Sequence, residues 1–292
     1  MVFTLWKDAA EVAKSATKAG ALNSFKTSML SVQEGGLNFH VRILENLQNK
    51  PTPDSSLAKL NQSKPDPFLP HEKALFVTNI GDKHKCLLNK YNVVDEHLLL
   101  VTQTFEEQNT ALNKNDFYAL HRCLFAAPAL AFYNSGKTAG ASQTHKHLQL
   151  IKVPETVEQL IAFNPQLSKL HDEVPRELDS LPFRHAALAL PKDIFTEEKI
   201  QNGDGAAQLQ NFYNRLRMTL GIEKDGEKIA SAYNLLLSHH WMLMVPRTGE
   251  NFSGVSLNAL AFSGSILVKS EAQAHEIIEA GLSTALNVVS RS

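Results

Sequence analysis

Two histidines and a glutamine alternate in the run His145-Lys146-His147-Leu148-Gln149, directly after a small-residue loop reading NSGKTAGASQT from Asn134 to Thr144. Side chains alternate faces along a strand, so a strand through HKHLQLIKV turns His145, His147, Gln149 and Ile151 one way and Leu148 and Leu150 the other. That face suits an anionic phosphorus centre. The N–H groups of a Gly, Ser and Thr turn can form a nest for phosphate oxygens, and an unprotonated imidazole can attack phosphorus. The attacking ring must give its other nitrogen to an acceptor, for which a backbone carbonyl of the loop is at hand. A bare HxH fits a metal pair or plain surface histidines equally well; the loop before it and Gln149 after it favour phosphoryl chemistry.

The string NSGKTAGASQTHKHLQ resembles, without a gap, the diadenosine tetraphosphate phosphorylases, also called ATP adenylyltransferases. These form part of the transferase branch of the histidine triad superfamily, related to the galactose-1-phosphate uridylyltransferases. The resemblance implies that His147 is the nucleophile and becomes transiently nucleotidylated, with His145 and Gln149 completing the catalytic set. It also implies that Ser142, Gln143 and the amides of Gly140 and Ala141 hold phosphate oxygens, and that Asn134 meets the reacting phosphate. Gln149 stands where the hydrolytic branch carries a third histidine, which by resemblance marks transfer to phosphate or a phosphorylated acceptor. The implied reaction is phosphorolysis of diadenosine tetraphosphate to ATP and ADP. A hexose-1-phosphate uridylyltransferase shares HxHxQ and is the alternative enzyme; a nucleotide-binding sensor without turnover is the alternative of another class.

Further segments extend the resemblance. Asn89 and Lys90, in NKYNVVDEHLLLV, would line the ribose and phosphates, although a hairpin with polar turn residues explains them as well. His97 reads as a structural histidine beside an apolar run. A tetraphosphate carries about four negative charges and needs several cations in one cleft. Lys50 is the preferred member, with Arg42 and Lys64 flanking the same loop and Lys269 contributed by the second half. The segment SLNALAFSGSILVK resembles the family's C-terminal signature, placing Asn258, Ala259 and Leu260 at the base or phosphate pocket. His239 and His240 read as structural. The resemblance implies an α/β (α+β) fold of two histidine-triad-like halves, each a mainly antiparallel sheet flanked by helices, sharing one active site.

The elements that must carry these residues follow from periodicity. Helices are expected over Leu5 to Lys18, from Asn115 to Pro128, over Ala206 to Leu220 and from Ser270, with a capping-box pattern at Thr104 and Glu107. Strands are expected at Leu37 to Leu44, Ala74 to Ile80, Lys85 to Tyr91, His97 to Thr102, Leu130 to Tyr133, Arg184 to Leu190, Ser231 to Leu237, Trp241 to Pro246 and Leu257 to Val268. Pro154 to Ser180 reads as polar and helical and holds the boundary between a 1–165 half and a 166–292 half. In the second half HHWMLMVPR takes the place of HKHLQLIKVP.

Composition bounds the rest. A 292-residue chain with 43% hydrophobic and 20% charged residues is ordinary for a globular protein. A formal net charge of −1 gives no global field to recruit nucleic acid or an anionic membrane. No apolar run approaches the roughly 20 residues of a membrane span, and the first residues lack the apolar core of a secretory signal. The two cysteines, Cys86 and Cys123, sit in apolar surroundings and fit buried thiols of a reducing, cytoplasmic compartment. With no CxxC, no metal set is readable; a divalent cation, most simply Mg²⁺, is expected only on the substrate's phosphates. The expected partners are small molecules (dinucleoside polyphosphate, ATP, ADP and phosphate), and the expected state is a monomer.

Overall fold

The computed structural model of the protein describes residues 4–45, 65–153 and 161–290. Helix α1 (Leu5–Lys18) precedes the hairpin β1 (Lys26–Glu34) and β2 (Leu37–Glu45), then β3 (Phe76–Ile80), β4 (His84–Leu88) and β5 (Leu98–Thr102). Helix α2 (Lys114–Ala126) leads to β6 (Ala129–Asn134) and β7 (His147–Lys152), which the small-residue loop joins. Next come α3 (Asn164–Leu167), β8 (Ala186–Ala189), α4 (Glu197–Asn202), α5 (Asp204–Thr219), the short ribbon β9 (Lys224–Asp225) and β10 (Lys228–Ile229), β11 (Tyr233–Leu237) and β12 (Trp241–Pro246). A second ribbon, β13 (Asn251–Phe252) and β14 (Val255–Ser256), precedes β15 (Ser265–Val268), α6 (Glu271–Ala280) and α7 (Leu282–Ser290).

One antiparallel sheet runs through both halves in the order β3-β4-β5-β7-β6-β11-β12-β8. Outward from the β6–β11 seam the order is the same on both sides: helix-preceded strand, its hairpin partner, then a third strand. Each half thus supplies a strand, a helix and two more strands in that order, and β12 takes the position of β7. Strand alternation splits the core in two. Leu98, Leu100, Leu148, Leu150 and Tyr133 face α1, α2 and α5, whereas Phe132, Ile151, Leu236 and Trp241 face a second layer. That layer is a three-stranded sheet, β1-β2-β15, with α6 and α7. Its third strand comes from the C-terminal half and runs parallel to β2.

Several expectations are corrected. No helix starts at Thr104, whose carbonyl instead accepts the Thr102 hydroxyl. The capping box belongs to α2: the Asn113 side chain accepts from the N–H of Asp116, and the Asp116 carboxylate from the N–H of Asn113. Of Pro154 to Ser180, only Asn164–Leu167 is α-helical among the described residues. Leu257 to Val268 is not one strand, because Asn258 caps a 3-10 turn, Ala259–Ser263, and Gly264 follows it in a left-handed conformation with φ +89°.

The strand that carries the HxHxQ motif is anchored from behind. Lys146 points away from the flanking histidines and is fully buried, 2.7 Å from Asp116 and 3.1 Å from Glu106. Asp116 also meets His84 Nε2 at 2.9 Å. Burial alone would raise the Asp116 pKa; His84 and Lys146 together hold it below the ordinary carboxylate value. Removing one partner of a buried pair leaves an uncompensated charge, which costs about 3–5 kcal/mol. Asp116→Ala should therefore lose about that much stability in urea denaturation, and an effect below about 1 kcal/mol would show the pair to be dispensable.

Candidate active site

β7 presents His147 beside Val101 of β5, and Gln149 between Leu99 of β5 and Phe132 of β6. Gln108, a buried residue, fixes the His147 backbone on both sides. Its Oε1 accepts the His147 N–H at 2.8 Å, and its Nε2 donates to the His147 carbonyl at 3.1 Å and the Asn134 carbonyl at 2.8 Å. The His147 backbone is thus clamped by a side chain where strand pairing to β6 has ended.

The two histidines of the motif have opposite states. His147 Nδ1 lies 2.8 Å from the His145 carbonyl, so it carries the proton and leaves the lone pair on Nε2. Nε2 meets no hydrogen-bond partner among the described residues. Burial pushes the His147 pKa down to about 4, and the charge of His145 acts in the same direction. The expected carbonyl acceptor is therefore present, two residues upstream rather than in the loop. Both ring nitrogens of His145 are engaged within the chain. Its Nδ1 faces the Asp66 carboxylate at 2.7 Å, and its Nε2 faces Thr102 Oγ1 at 2.9 Å and the Thr102 carbonyl at 3.0 Å. The Thr102 hydroxyl proton goes to the Thr104 carbonyl, so Oγ1 can only accept. With both ring nitrogens engaged, His145 is held in one orientation and presents its carbonyl to His147.

A cleft of about 240 Å³ opens beside Gln149, lined also by Asn134, Gly140, Ser142, Asn89, His97 and, from the C-terminal half, Asn258 and Leu260. His147 stands just beyond it, 4% exposed and packed against the Phe68 ring with centroids 5.5 Å apart. Asn134 is held in one orientation: its Oδ1 accepts from Asn234 Nδ2 at 2.8 Å and from the Ala259 N–H at 2.9 Å, leaving Nδ2 for a ligand. Behind Asn234 lies Arg247, whose guanidinium donates to Asn234 Oδ1 and to the carbonyls of Leu257 and Gly249. Asn234 Nδ2 also holds the Ala139 carbonyl at 2.9 Å. Gly140, at φ +89°, brings the loop so close that a Cβ would stand 3.0 Å from the Asn258 Cα. The two halves meet across this glycine.

The amides of Gly140 and Ala141 are not available to phosphate. They donate to the Lys137 and Gly136 carbonyls, closing a 3-10 turn over Lys137–Ala139 on itself. The loop's unused donors lie later: Ser142 and Gln143 make no hydrogen bond to any described residue. Ser142 borders both the cleft and a recess of about 850 Å³ on the loop's other side, where Gln143 lies.

Among the expected cations, Lys50 and Lys64 lie outside the described residues. Arg42 lines the cleft. Lys90 does not, and is paired with Glu72 at 2.7 Å. Lys269 is exposed two residues beyond Leu267, a cleft residue, and is not part of the lining. Asn89 does line the cleft, but its amide is spent on His97 at 3.2 Å. His97, read from sequence as structural, is buried with both ring nitrogens hydrogen-bonded, and its Nε2 lies 2.9 Å from Gln149 Oε1. Among the described residues no group of three or more His, Cys, Asp and Glu is placed to hold a metal ion, and no helix is long and apolar enough to cross a membrane.

Residues 2–168 match the family model of the Ap4A phosphorylase N-terminal domain, and residues 179–292 that of the ATP adenylyltransferase C-terminal domain. The chain belongs to the Ap4A phosphorylase family. It is 30% identical over 239 residues to diadenosine 5′,5‴-P1,P4-tetraphosphate phosphorylase 2 of Saccharomyces cerevisiae, covering 73% of this chain and 72% of that protein. Protein APA1 of the same yeast is 28% identical over 235 residues, 72% of this chain and 70% of its own. The crystal structure of yeast Ap4A phosphorylase Apa2 in complex with AMP superposes with a TM-score of 0.79 at 27% identity, covering 98% of this chain and 97% of that one. Its complex with Ap4A gives 0.78 at 25%, with 99% and 98% covered. As a member of this family the chain is a nucleotidyltransferase.

For the nucleophile role that the sequence implies for His147, its depressed pKa should set the acid limit of activity. Above about 4 the ring is neutral and nucleophilic, and below it the lone pair is protonated. In a double-displacement reaction kcat/KM for the nucleotide donor reports the first transfer alone, so ionisation of the acceptor does not enter. That parameter should stay flat down to about pH 5 and fall tenfold per unit below about pH 4. An acid limb near the ordinary imidazole value of about 6.5 would contradict the assignment.

Proposed function

We propose that the protein phosphorolyses diadenosine tetraphosphate with inorganic phosphate, giving ATP and ADP through a nucleotidyl group carried on His147. The observation that carries this reading is the state of His147: Nδ1–H is pinned to the His145 carbonyl, and the free Nε2 keeps its lone pair at neutral pH. Nε2 attacks the α-phosphorus, the bond to the bridging oxygen breaks, and ATP leaves with that electron pair. A phosphate oxygen then attacks the same phosphorus, the P–N bond breaks, and ADP leaves with the ring restored. Asn134 Nδ2, the Ser142 and Gln143 N–H groups and the Gln149 amide donate to the phosphoryl oxygens as charge develops. Arg42, Lys50, Lys64 and Lys269 would neutralise the remaining phosphates. A substrate with two nucleosides needs two recesses, and the cleft and the larger recess flank one loop, with Ser142 common to both. A divalent ion such as Mg²⁺ would ride on the phosphates themselves, as no carboxylate lines the cleft among the described residues.

Gln149 favours phosphate over water as acceptor, since a carboxamide does not titrate and cannot act as a general base. Incubation with diadenosine tetraphosphate should give ADP and ATP only when phosphate is present. His147→Ala should lower turnover by about three orders of magnitude or more while nucleotide binding survives, and should abolish an acid-labile nucleotidyl–protein adduct. Rapid phosphate-independent release of AMP, or an adduct retained in the variant, would overturn the proposal.

A further inference from the structure

The side chains of Asn89, His97 and Gln149 form a hydrogen-bond chain whose direction is set at one end. The Tyr91 N–H, a group that can only donate, lies 3.3 Å from Asn89 Oδ1. That bond fixes the Asn89 amide, so its Nδ2 is the group 3.2 Å from His97 Nδ1. An N–H donor there requires a lone pair on Nδ1, which places the imidazole proton on Nε2. Nε2–H then donates to Gln149 Oε1 at 2.9 Å, and the Gln149 NH₂ group is left for the cleft. His97 is 9% exposed, and its pKa is pushed down to about 4, foremost by burial. The neutral tautomer therefore persists across the physiological range.

We infer that Asn89 and His97 are positioning residues that lock Gln149 as a donor toward the nucleotidyl–His147 intermediate and thereby exclude water as the acceptor. The inference rests on the nucleotidyl-transfer reading above. A water molecule must lose a proton to attack phosphorus, so it gains from a neighbouring acceptor. A phosphate anion arrives with an unprotonated oxygen and gains from a neighbouring donor. With Oε1 turned away and held by His97, the amide offers only donors to whatever approaches the intermediate. Freed from His97 it can rotate by half a turn and offer Oε1 to water. His97, which looks structural in sequence, thus sets the choice between phosphorolysis and hydrolysis without touching either nucleophile.

The test compares wild type, His97→Leu and His97→Gln. In the last, the side-chain amide can return an N–H close to the place of the imidazole Nε2–H. For His97→Leu, kcat of phosphorolysis should fall about tenfold, with KM for diadenosine tetraphosphate within about twofold of wild type. AMP release without phosphate should rise relative to ADP formation by about tenfold, and His97→Gln should recover most of both losses. Equal losses in both variants, or an unchanged ratio of AMP to ADP in His97→Leu, would sink the inference. If His97→Leu does not fold, ¹⁵N resonances of the wild-type ring decide it. Nε2 should be protonated and Nδ1 unprotonated at neutral pH, and the opposite tautomer would overturn the chain. Wild type that forms no ADP from diadenosine tetraphosphate and phosphate would instead count against the proposed reaction, independently of the tautomer.

Discussion

The site depends on a buried junction of polar groups at the seam of the large sheet. Asn134 and Asn234 are paired residues of β6 and β11, and their carboxamides meet at 2.8 Å with Arg247 behind them. The junction is almost wholly buried, so the donors that do not face the cleft need acceptors in the chain. Arg247, whose pKa burial pushes down to about 10, is satisfied almost wholly by carbonyls of the segments on either side. A charge held in this way is costly to disturb. Because Asn134 Oδ1 has two donors from the C-terminal half, its NH₂ can only face the cleft. The second half therefore shapes the catalytic centre of the first through hydrogen-bond direction rather than by lending it a reactive group.

The same logic of direction explains why two histidines one residue apart differ so completely. The backbone carbonyl of one fixes the tautomer of the other, while a carboxylate and a threonine take both nitrogens of the first. Identity of side chain says little about role here. What decides is whether each ring nitrogen faces a donor or an acceptor.

Local periodicity carried α1 and β12 to their observed limits, Leu5–Lys18 and Trp241–Pro246, and placed Leu148 and Leu150 opposite Ile151 on β7. That His147 and Gln149 share one face was legible because the HxHxQ pattern is local. The residues that hold them were not. Gln108, Asn234 and Arg247 reach the site from 39 to more than 100 positions away, and no period or short motif encodes such contacts. The Gly140 and Ala141 amides were misjudged for a related reason: a glycine-rich loop can offer its N–H groups to a ligand or to its own carbonyls, and the sequence is the same in both cases. Strand β1 went unforeseen because all of its residues are exposed or half-buried, which leaves no apolar alternation to detect.

The parallel pairing of β2 with β15 sets a timetable for biosynthesis. Arg42 and Ser265 are 223 positions apart yet hydrogen-bonded. At roughly 5–20 residues per second a ribosome takes on the order of 10 to 45 s to travel between them. Throughout that interval β2 has an open edge, and Phe39 and Val41 await the partners that Ile266 and Phe262 will supply. The small-residue loop and His147 are made early, but Asn258, Ala259 and Arg247, which shape the cleft, arrive late. Until the last strand is made, the exposed strand edge is what chaperones must shield.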